Sequence, residues 1–188
     1  MRCTGVTDPT YPARVSINGN WLRVTPAELA RAQRDLGTAY ELAARLRGSD
    51  DDRWFSTDKT WHALEFLLDR YGFSVPLVLG AEEFVEVPDY EDEEAFAAFE
   101  ESDANWGYGP PRYLNPRQVV AAAVELAPLG EEDLLGGVDL AELRREEIYP
   151  QVWDDRRELR WATHHLPGVT RYFSAAAASG DAVICWLD

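Results

Sequence analysis

Helix signals outnumber strand signals along this 188-residue chain, and the few strand-like runs are not regularly interleaved with helices. A doubly wound parallel sheet requires strands and helices to alternate. The pattern therefore predicts an α+β fold in which several helices pack on a small sheet. A chain of this length is a usual size for one domain and buries enough surface to fold without disulfides or metal. We expect a single domain over residues 15–188, preceded by a flexible leader at 1–14.

Capping residues mark the start of the first predicted helix. Thr25 is followed by Pro26 and Glu28, which together supply an N-cap, a first-turn proline and a capping-box glutamate. Apolar residues then recur at helical spacing as far as Leu46, and Gly48 follows as a stop signal. The stretch is therefore predicted to be one helix.

Similar signals predict further helices. One begins near Asp58 and ends at Gly72, with a buried stripe of Trp61, Leu64, Leu68 and Tyr71. Another follows the cap Asn115, and its buried face is assigned to Val119, Val120, Ala123 and Val124. Residues 91–102 are predicted to be helical with Ala95, Phe96 and Phe99 facing inward. The remaining predicted helices begin at Asp139 or cover 154–166 and 168–179.

Four short stretches carry strand signals. A buried strand is predicted for "VPLVLG" (75–80), with "EFVEV" (83–87) as its neighbour. An Asn-Gly turn predicts a hairpin within "SINGNWLRVT" (16–25). Gly180-Asp181 is a turn signal that leads into a final strand, "AVICWL" (182–187).

The charge of the chain is strongly negative and unevenly placed. A formal net charge of −16 repels nucleic acid phosphates and anionic lipid headgroups, so we expect neither nucleic acid nor membrane as a partner. Lys and Arg are absent between Arg70 and Arg112, where eleven acids occur. A solvated acidic face is the simplest interpretation, and a docking surface for a basic protein, centred on 88–105, is the functional one.

The cysteines and the lengths of the apolar runs bear on the cellular compartment in which this protein is expected. Cys3 and Cys185 form no disulfide framework or metal motif, and Cys185 lies in an apolar run typical of a buried small side chain. The N-terminus has no apolar signal core, and no run of eighteen apolar residues occurs. These features predict a soluble cytoplasmic protein.

One polar stripe is a candidate catalytic site. Asp58, His62, Glu65 and Asp69 are spaced four, three and four residues apart, which would place them on one side of a helix. Carboxylates beside an imidazole can tune a general base or hold a divalent metal. An exposed acidic helix face beside an ordinary histidine is the competing interpretation. His62, Asp58 and Glu65 are therefore candidate catalytic residues, and no metal site is assigned.

A loop rich in aromatics is a candidate ligand site. It reads "NWGYGPPRYLNP" over 105–116, where glycines permit unusual backbone angles and prolines stiffen the chain. Such a loop could present Trp106, Tyr108 and Tyr113 to a small ligand, with Arg112 as a fixed positive group. Alternatively, the loop only directs Tyr113 into the sheet and caps the next helix.

Five stretches, in this order, resemble the YfbM-like family of uncharacterised bacterial proteins, also called domain of unknown function 1877. They are "DKTWHALEFLL" (58–68), "PLVLGAEEF" (76–84), "YGPPRYLNPRQV" (108–119), "EIYPQVWD" (147–154) and "FSAAAASGDAVICWL" (173–187). The resemblance implies a single soluble α+β domain and brings no reaction or catalytic residues. The chain departs from the family pattern in its leader before residue 15 and in an acidic insertion around 88–105.

Three of the family-like stretches are rich in aromatics: Trp61 with His62, residues 108–113, and residues 149–154. If they meet in space, they form one aromatic-lined cleft. That hypothesis adds Tyr149, Trp153 and Asp154 to the ligand-binding candidates.

The leading functional hypothesis is a non-enzymatic binding protein for a small ligand, a peptide or a basic protein partner. One version is an immunity protein that masks a cationic toxin site by charge complementarity. The alternative is a hydrolase that uses His62 with Asp58 or Glu65, with or without a metal. No cofactor is predicted, and the sequence does not indicate an oligomeric state.

Overall fold

The computed structural model describes residues 16–49 and 51–188, so the predicted leader and Cys3 lie outside the described residues. The described chain forms one sheet with strand order β2-β1-β5-β4-β3, in which every neighbouring pair is antiparallel. Helices pack around it, which confirms the α+β prediction. The strands are β1 (Gly19–Val24), β2 (Trp54–Asp58), β3 (Glu82–Glu83), β4 (Arg112–Leu114) and β5 (Ala182–Leu187).

Helices occupy most of the remaining described chain. They are α1 (Pro26–Ala32), α2 (Gly37–Leu46), α3 (Trp61–Tyr71), α4 (Glu93–Glu100), α5 (Pro116–Leu126), α6 (Glu131–Leu135), α7 (Leu140–Arg145), α8 (Arg156–Thr163) and α9 (Leu166–Ser179). In the described ranges, no helix combines the length and the apolar composition needed to cross a membrane.

The two central strands are buried on both faces. Trp21 and Cys185 belong to the larger core cluster, which also contains buried residues of α3, α5, α8 and α9. Leu22 and Ile184 point to the other face, where they join a smaller cluster built from α1, α2 and Trp106. The alternation follows from the two-residue period of a strand. The final predicted strand is confirmed as β5, and Cys185 is buried as expected.

Two strand predictions were wrong. Residues 75–80 form a turn that buries Val75, Leu77 and Val78 and leaves Leu79 exposed, and in it the N–H of Gly80 donates to Pro76 O at 2.8 Å. Short apolar runs do not distinguish a strand from another buried segment. Its predicted neighbour is a strand only at Glu82–Glu83, so most of 83–87 lies outside β3.

The predicted hairpin at 16–25 was also wrong. Asn18 exchanges backbone hydrogen bonds with Asp188, at 2.6 and 3.1 Å. The Asn-Gly pair therefore leads the chain into β1, whose partners are β2 and β5 rather than the residues just before the turn.

The first predicted helix begins as expected but is interrupted. Thr25 and Glu28 form the capping box of α1. The chain then leaves helical geometry before α2, where the Asp35 carboxylate accepts from the N–H of Gly37 at 3.1 Å. Aspartate competes for backbone donors in this way, and the competition favours a turn over a continuous helix.

Three other helix predictions need correction. Tyr71, which was predicted to lie in the buried stripe of α3, is 53% exposed. Asp58 ends β2 with a φ of 49° and lies outside α3, so it is not on the same helical stripe as His62. On α5, Val120 and Val124 are exposed, and Val119, Ala122 and Leu126 form the buried face. Apolar residues occur on more than one side of α5, so the sequence did not determine which side is buried. The buried side is the one that packs against α9.

Candidate functional site

A cavity of about 520 Å³ opens beside β4, between the 76–87 segment and the loop that precedes β4. We call it the Tyr108 cavity. Leu79, Val87 and Tyr108 line it and are 41%, 41% and 50% exposed, which is high for large apolar side chains. The buried Cys185 and Trp186 of β5 also line it. Its volume is within the range of protein ligand sites.

Arg112 forms a wall of this cavity without leaving a free charge in it. Its guanidinium donates to Gly80 O at 3.1 Å, Ala81 O at 2.8 Å and the Glu83 carboxylate at 2.6 Å. Gly80 has a φ of +81°, and a Cβ there would lie 2.9 Å from the Cβ of Arg112. Glycine is therefore needed where the 76–87 segment approaches β4.

The loop that carries Tyr108 is fixed by its own side chains and by β5. Asn105 Oδ1 accepts from the N–H groups of Gly107 and Gly109, both at 3.2 Å. The N–H of Tyr108 donates to Leu187 O at 3.0 Å. These bonds hold the loop against the end of β5 and leave the Tyr108 ring at the mouth of the cavity.

The four predicted ligand residues of this loop divide into two pairs. Tyr108 and Arg112 line the Tyr108 cavity, whereas Trp106 and Tyr113 pack with the smaller core cluster. Trp106 is buried edge-on against Trp186 and borders a second cavity of about 200 Å³. The Tyr113 hydroxyl accepts from Gln33 Nε2 at 2.9 Å.

Two of the three aromatic stretches meet at a different place. The N–H of Tyr149 donates to His62 Nδ1 at 3.0 Å. The Trp61 ring stacks on His62 and on Tyr149, with ring centroids 4.9 and 6.1 Å apart. Within the described part of the chain, the residues around the Tyr108 cavity include none of these three. The three stretches therefore do not form the single predicted cleft: residues from 108–113 border the Tyr108 cavity, and His62 meets Tyr149 elsewhere.

The end of the 149–154 stretch joins neither place. Trp153 is completely buried, and its Nε1 donates to Ile148 O at 2.7 Å. Asp154 is exposed and lies 3.9 Å from an Arg144 nitrogen. Trp153 is thus a core residue, and Asp154 belongs to the solvated surface.

The catalytic candidates have different surroundings. The Asp58 carboxylate lies 3.6 Å from His165 Nε2, and no hydrogen bond between described residues joins His62 to Asp58 or Glu65. Burial lowers the pKa of His62, so its ring is neutral near pH 7. Because Nδ1 accepts from Tyr149, the ring proton of neutral His62 is on Nε2.

Among the carboxyl groups of the described residues, Glu65 has the most strongly shifted pKa. Burial, with a smaller contribution from Asp69, raises its pKa to about 7. Its Oε2 is buried and finds no hydrogen-bond partner among the described residues. Within the same ranges, no group of three or more His, Cys, Asp and Glu side chains is arranged to hold a metal ion.

The acids between Arg70 and Arg112 lie at the surface. Ten of the eleven are exposed, and Glu82 is half-buried. We call the exposed ten the acidic surface: Glu83, Glu86, Asp89, Glu91, Asp92, Glu93, Glu94, Glu100, Glu101 and Asp103. Among the described residues, only Glu83 of these ten is in an ion pair, with Arg112.

Helix α4 carries part of the acidic surface and has no fully buried residue. The predicted inward-facing residues Ala95, Phe96 and Phe99 are half-buried. Phe96 packs on the exposed Tyr90, with ring centroids 4.6 Å apart. Helix α4 thus packs through a small aromatic cluster that belongs to neither core cluster, and its acidic side chains are exposed to solvent.

Sequence reasoning missed several residues around the Tyr108 cavity. The sequence places Leu79 in a predicted buried strand and Val87 and Glu83 in its predicted neighbour, without a role for any of them at a site. Trp186 was placed in β5 without a role at a site. Proline and glycine in 75–80 were available as signals that this segment turns.

Comparison with known proteins identifies the fold without a function. A family model described as "Domain of unknown function (DUF1877)" matches residues 15–186. The crystal structure of YfbM from Escherichia coli, a protein of unknown function, superposes with a TM-score of 0.59 at 16% sequence identity. The superposition covers 91% of this chain and 99% of that chain. No curated protein sequence matches this chain.

Proposed function

We propose that this chain, which belongs to the DUF1877 family of domains of unknown function, is a non-enzymatic binding module for a basic protein partner. The acidic surface would make the encounter. Complementary charges accelerate association and exclude wrongly charged partners. The partner is defined here by its chemistry, as a protein that presents clustered Arg or Lys.

The observation that carries this proposal is a surface stretch rich in acids that no Lys or Arg interrupts. Ten exposed acids lie in a stretch without any Lys or Arg, and only Glu83 has an ion-pair partner among the described residues. Exposed like charges that follow one another closely in the chain repel one another, and a basic partner relieves that repulsion. Helix α4 contributes little to the core, which supports a role at the surface.

The hydrolase alternative has weaker support. A general base needs an unprotonated nitrogen that faces its substrate. The nitrogen of His62 that accepts a proton is already used by the N–H of Tyr149, and Nε2 carries the proton in the neutral ring. In this arrangement His62 can act only as a hydrogen-bond donor, through Nε2. Asp58 contacts His165 rather than His62.

The test compares two variants that lose the same number of charges. In the first, four acids of the acidic surface become neutral: Glu93→Gln, Glu94→Gln, Glu100→Gln and Glu101→Gln. The control neutralises four exposed acids elsewhere: Glu132→Gln, Glu146→Gln, Glu147→Gln and Asp154→Asn. Fluorescence anisotropy then measures the affinity of each variant for a labelled octa-arginine peptide at low and physiological salt.

We expect the first variant to bind about tenfold more weakly than the control variant, since exposed ion pairs contribute about 0.2–1 kcal/mol each. The difference should shrink as salt rises. Equal weakening of the two variants would mean that only net charge matters, and it would contradict a localised docking surface.

A further inference from the structure

We infer that the Tyr108 cavity is the specificity pocket of this binding module and that it takes a bulky apolar side chain flanked in the partner by Arg or Lys. This inference rests on the proposed function. It adds the residue type that distinguishes the intended partner from any other basic protein. An interface commonly has such an apolar centre surrounded by polar contacts.

The apolar character of the cavity favours this occupant. Its mouth holds Leu79, Val87 and Tyr108, which are all exposed to solvent. Scattered exposed apolar residues are common, but a cluster around one concave opening is typical of a binding site. Val120 and Val124 on α5 are comparably exposed and do not line this cavity, so they supply a matched control.

The charges at the rim determine what can flank the apolar group. Arg112 is the cationic side chain that lines the cavity, and its guanidinium is engaged by Gly80 O, Ala81 O and the Glu83 carboxylate. Glu83 keeps 59% of its side chain exposed, and Glu86 nearby in the chain is exposed as well. An incoming cation therefore meets the exposed Glu83 carboxylate at the rim, whereas the Arg112 guanidinium is already engaged and is not free to receive an incoming carboxylate.

The walls of the cavity are already held in place. Tyr108 is fixed through its N–H to Leu187 O, and Gly107 approaches that same oxygen so closely that a Cβ would lie 2.8 Å from it. The opposite wall is fixed by the Arg112 bonds to Gly80 and Ala81. Preformed walls lower the entropic cost of binding, so the affinity gained from apolar burial is retained.

The experiment uses the full chain and two labelled peptides of equal charge. One peptide has a central Phe between two pairs of arginines, and the other has Ser in place of that Phe. Affinities are measured for the wild type, for Leu79→Ser with Val87→Ser, and for the control Val120→Ser with Val124→Ser. Thermal unfolding of each variant checks that it is folded.

For the wild type and the control variant, we expect the Phe peptide to bind about tenfold more tightly than the Ser peptide, as burial of one large apolar side chain allows. The Leu79→Ser/Val87→Ser variant should lose this preference and bind the two peptides with similar affinity. Equal affinities of the two peptides for the wild type would overturn the pocket assignment and leave the acidic docking surface standing. The same preference in all three proteins would also overturn it. If neither peptide binds, both proposals fail.

Discussion

The N–H of Tyr149 donates to Nδ1 of His62 across 3.0 Å and joins two stretches that are 87 residues apart. Trp61 stacks on both rings, and the Tyr149 hydroxyl accepts from the N–H of Ile17 at 3.1 Å. This corner therefore ties the start of α3 to the segment before α8 and to the entry of β1. Its bonds indicate that His62 has a structural role.

The first prediction concerns the acceptor at His62. His62→Phe keeps a ring that can stack on Trp61 but leaves the N–H of Tyr149 without an acceptor. We expect a loss of about 1–3 kcal/mol in the free energy of unfolding, measured in urea. His62→Asn retains an acceptor oxygen and should cost less. A larger loss for Asn than for Phe would contradict the hydrogen-bond account.

The second prediction concerns Glu65 and pH. Its pKa is raised to about 7 from 4.5, so the folded protein holds a proton that the unfolded chain releases between these values. The contribution of Glu65 to stability is therefore present below pH 4.5 and is lost as pH rises to about 7. Glu65→Gln does not ionise. The free energy of unfolding of Glu65→Gln, relative to that of the wild type, should therefore rise by about 3 kcal/mol between pH 4.5 and 8.

The Glu65 test must compare two proteins, because two histidines also make the stability of the protein depend on pH. Burial lowers the pKa of His62 and of His165, so their contribution to stability is lost as pH falls below 6.5, the opposite direction to Glu65. Both proteins contain these histidines, and their effect cancels in the difference between Glu65→Gln and wild type. A pH-independent difference would contradict the raised pKa of Glu65.

The third prediction separates a core residue from a ligand residue. Trp153 is completely buried, so Trp153→Ala should lower the free energy of unfolding by about 3–5 kcal/mol. Trp153→Phe keeps most of the apolar volume and should cost less. Peptide affinity, corrected for the folded fraction, should not change in Trp153→Phe. A loss of affinity without a loss of stability would restore Trp153 as a ligand residue.

The fourth prediction concerns the wall of the Tyr108 cavity. Gly80→Ala combines a positive φ with a Cβ placed 2.9 Å from Arg112 Cβ. We therefore expect it to lower the free energy of unfolding by more than about 1 kcal/mol. Gly48 also has a positive φ, but a Cβ there meets nothing within 4 Å. Gly48→Ala should therefore be the milder change in thermal unfolding. Equal losses would mean that the close approach at Gly80 contributes nothing.

Local sequence signals predicted the parts of this fold that depend on local physics. The Thr25 and Asn115 caps and the strand after Gly180-Asp181 were all predicted from adjacent residues. The α+β class followed from the order of these signals, and the family match confirms the resemblance to YfbM-like proteins.

The predictions that failed depend on contacts between distant residues. The Asn18-Gly19 pair was read as a hairpin turn because its true partner, Asp188, is at the other end of the chain. The apolar run at 75–80 forms a turn rather than a strand, because the position beside β5 in the sheet is taken by β4. The Tyr108 cavity needs the 76–87 segment in place beside β4 and the end of β5, so only Tyr108 and Arg112 could be proposed for it from sequence.

The most direct test of the central claim is an amide hydrogen-exchange footprint of the wild type with the Phe-containing arginine peptide. The account predicts slower exchange in residues 79–110, which include the acidic surface and the mouth of the Tyr108 cavity. Exchange at the N–H of Tyr149 and within α9 should be unaffected by the peptide. Slower exchange around His62 and Tyr149, with none in 79–110, would contradict the claim that this protein binds basic partners through its acidic surface.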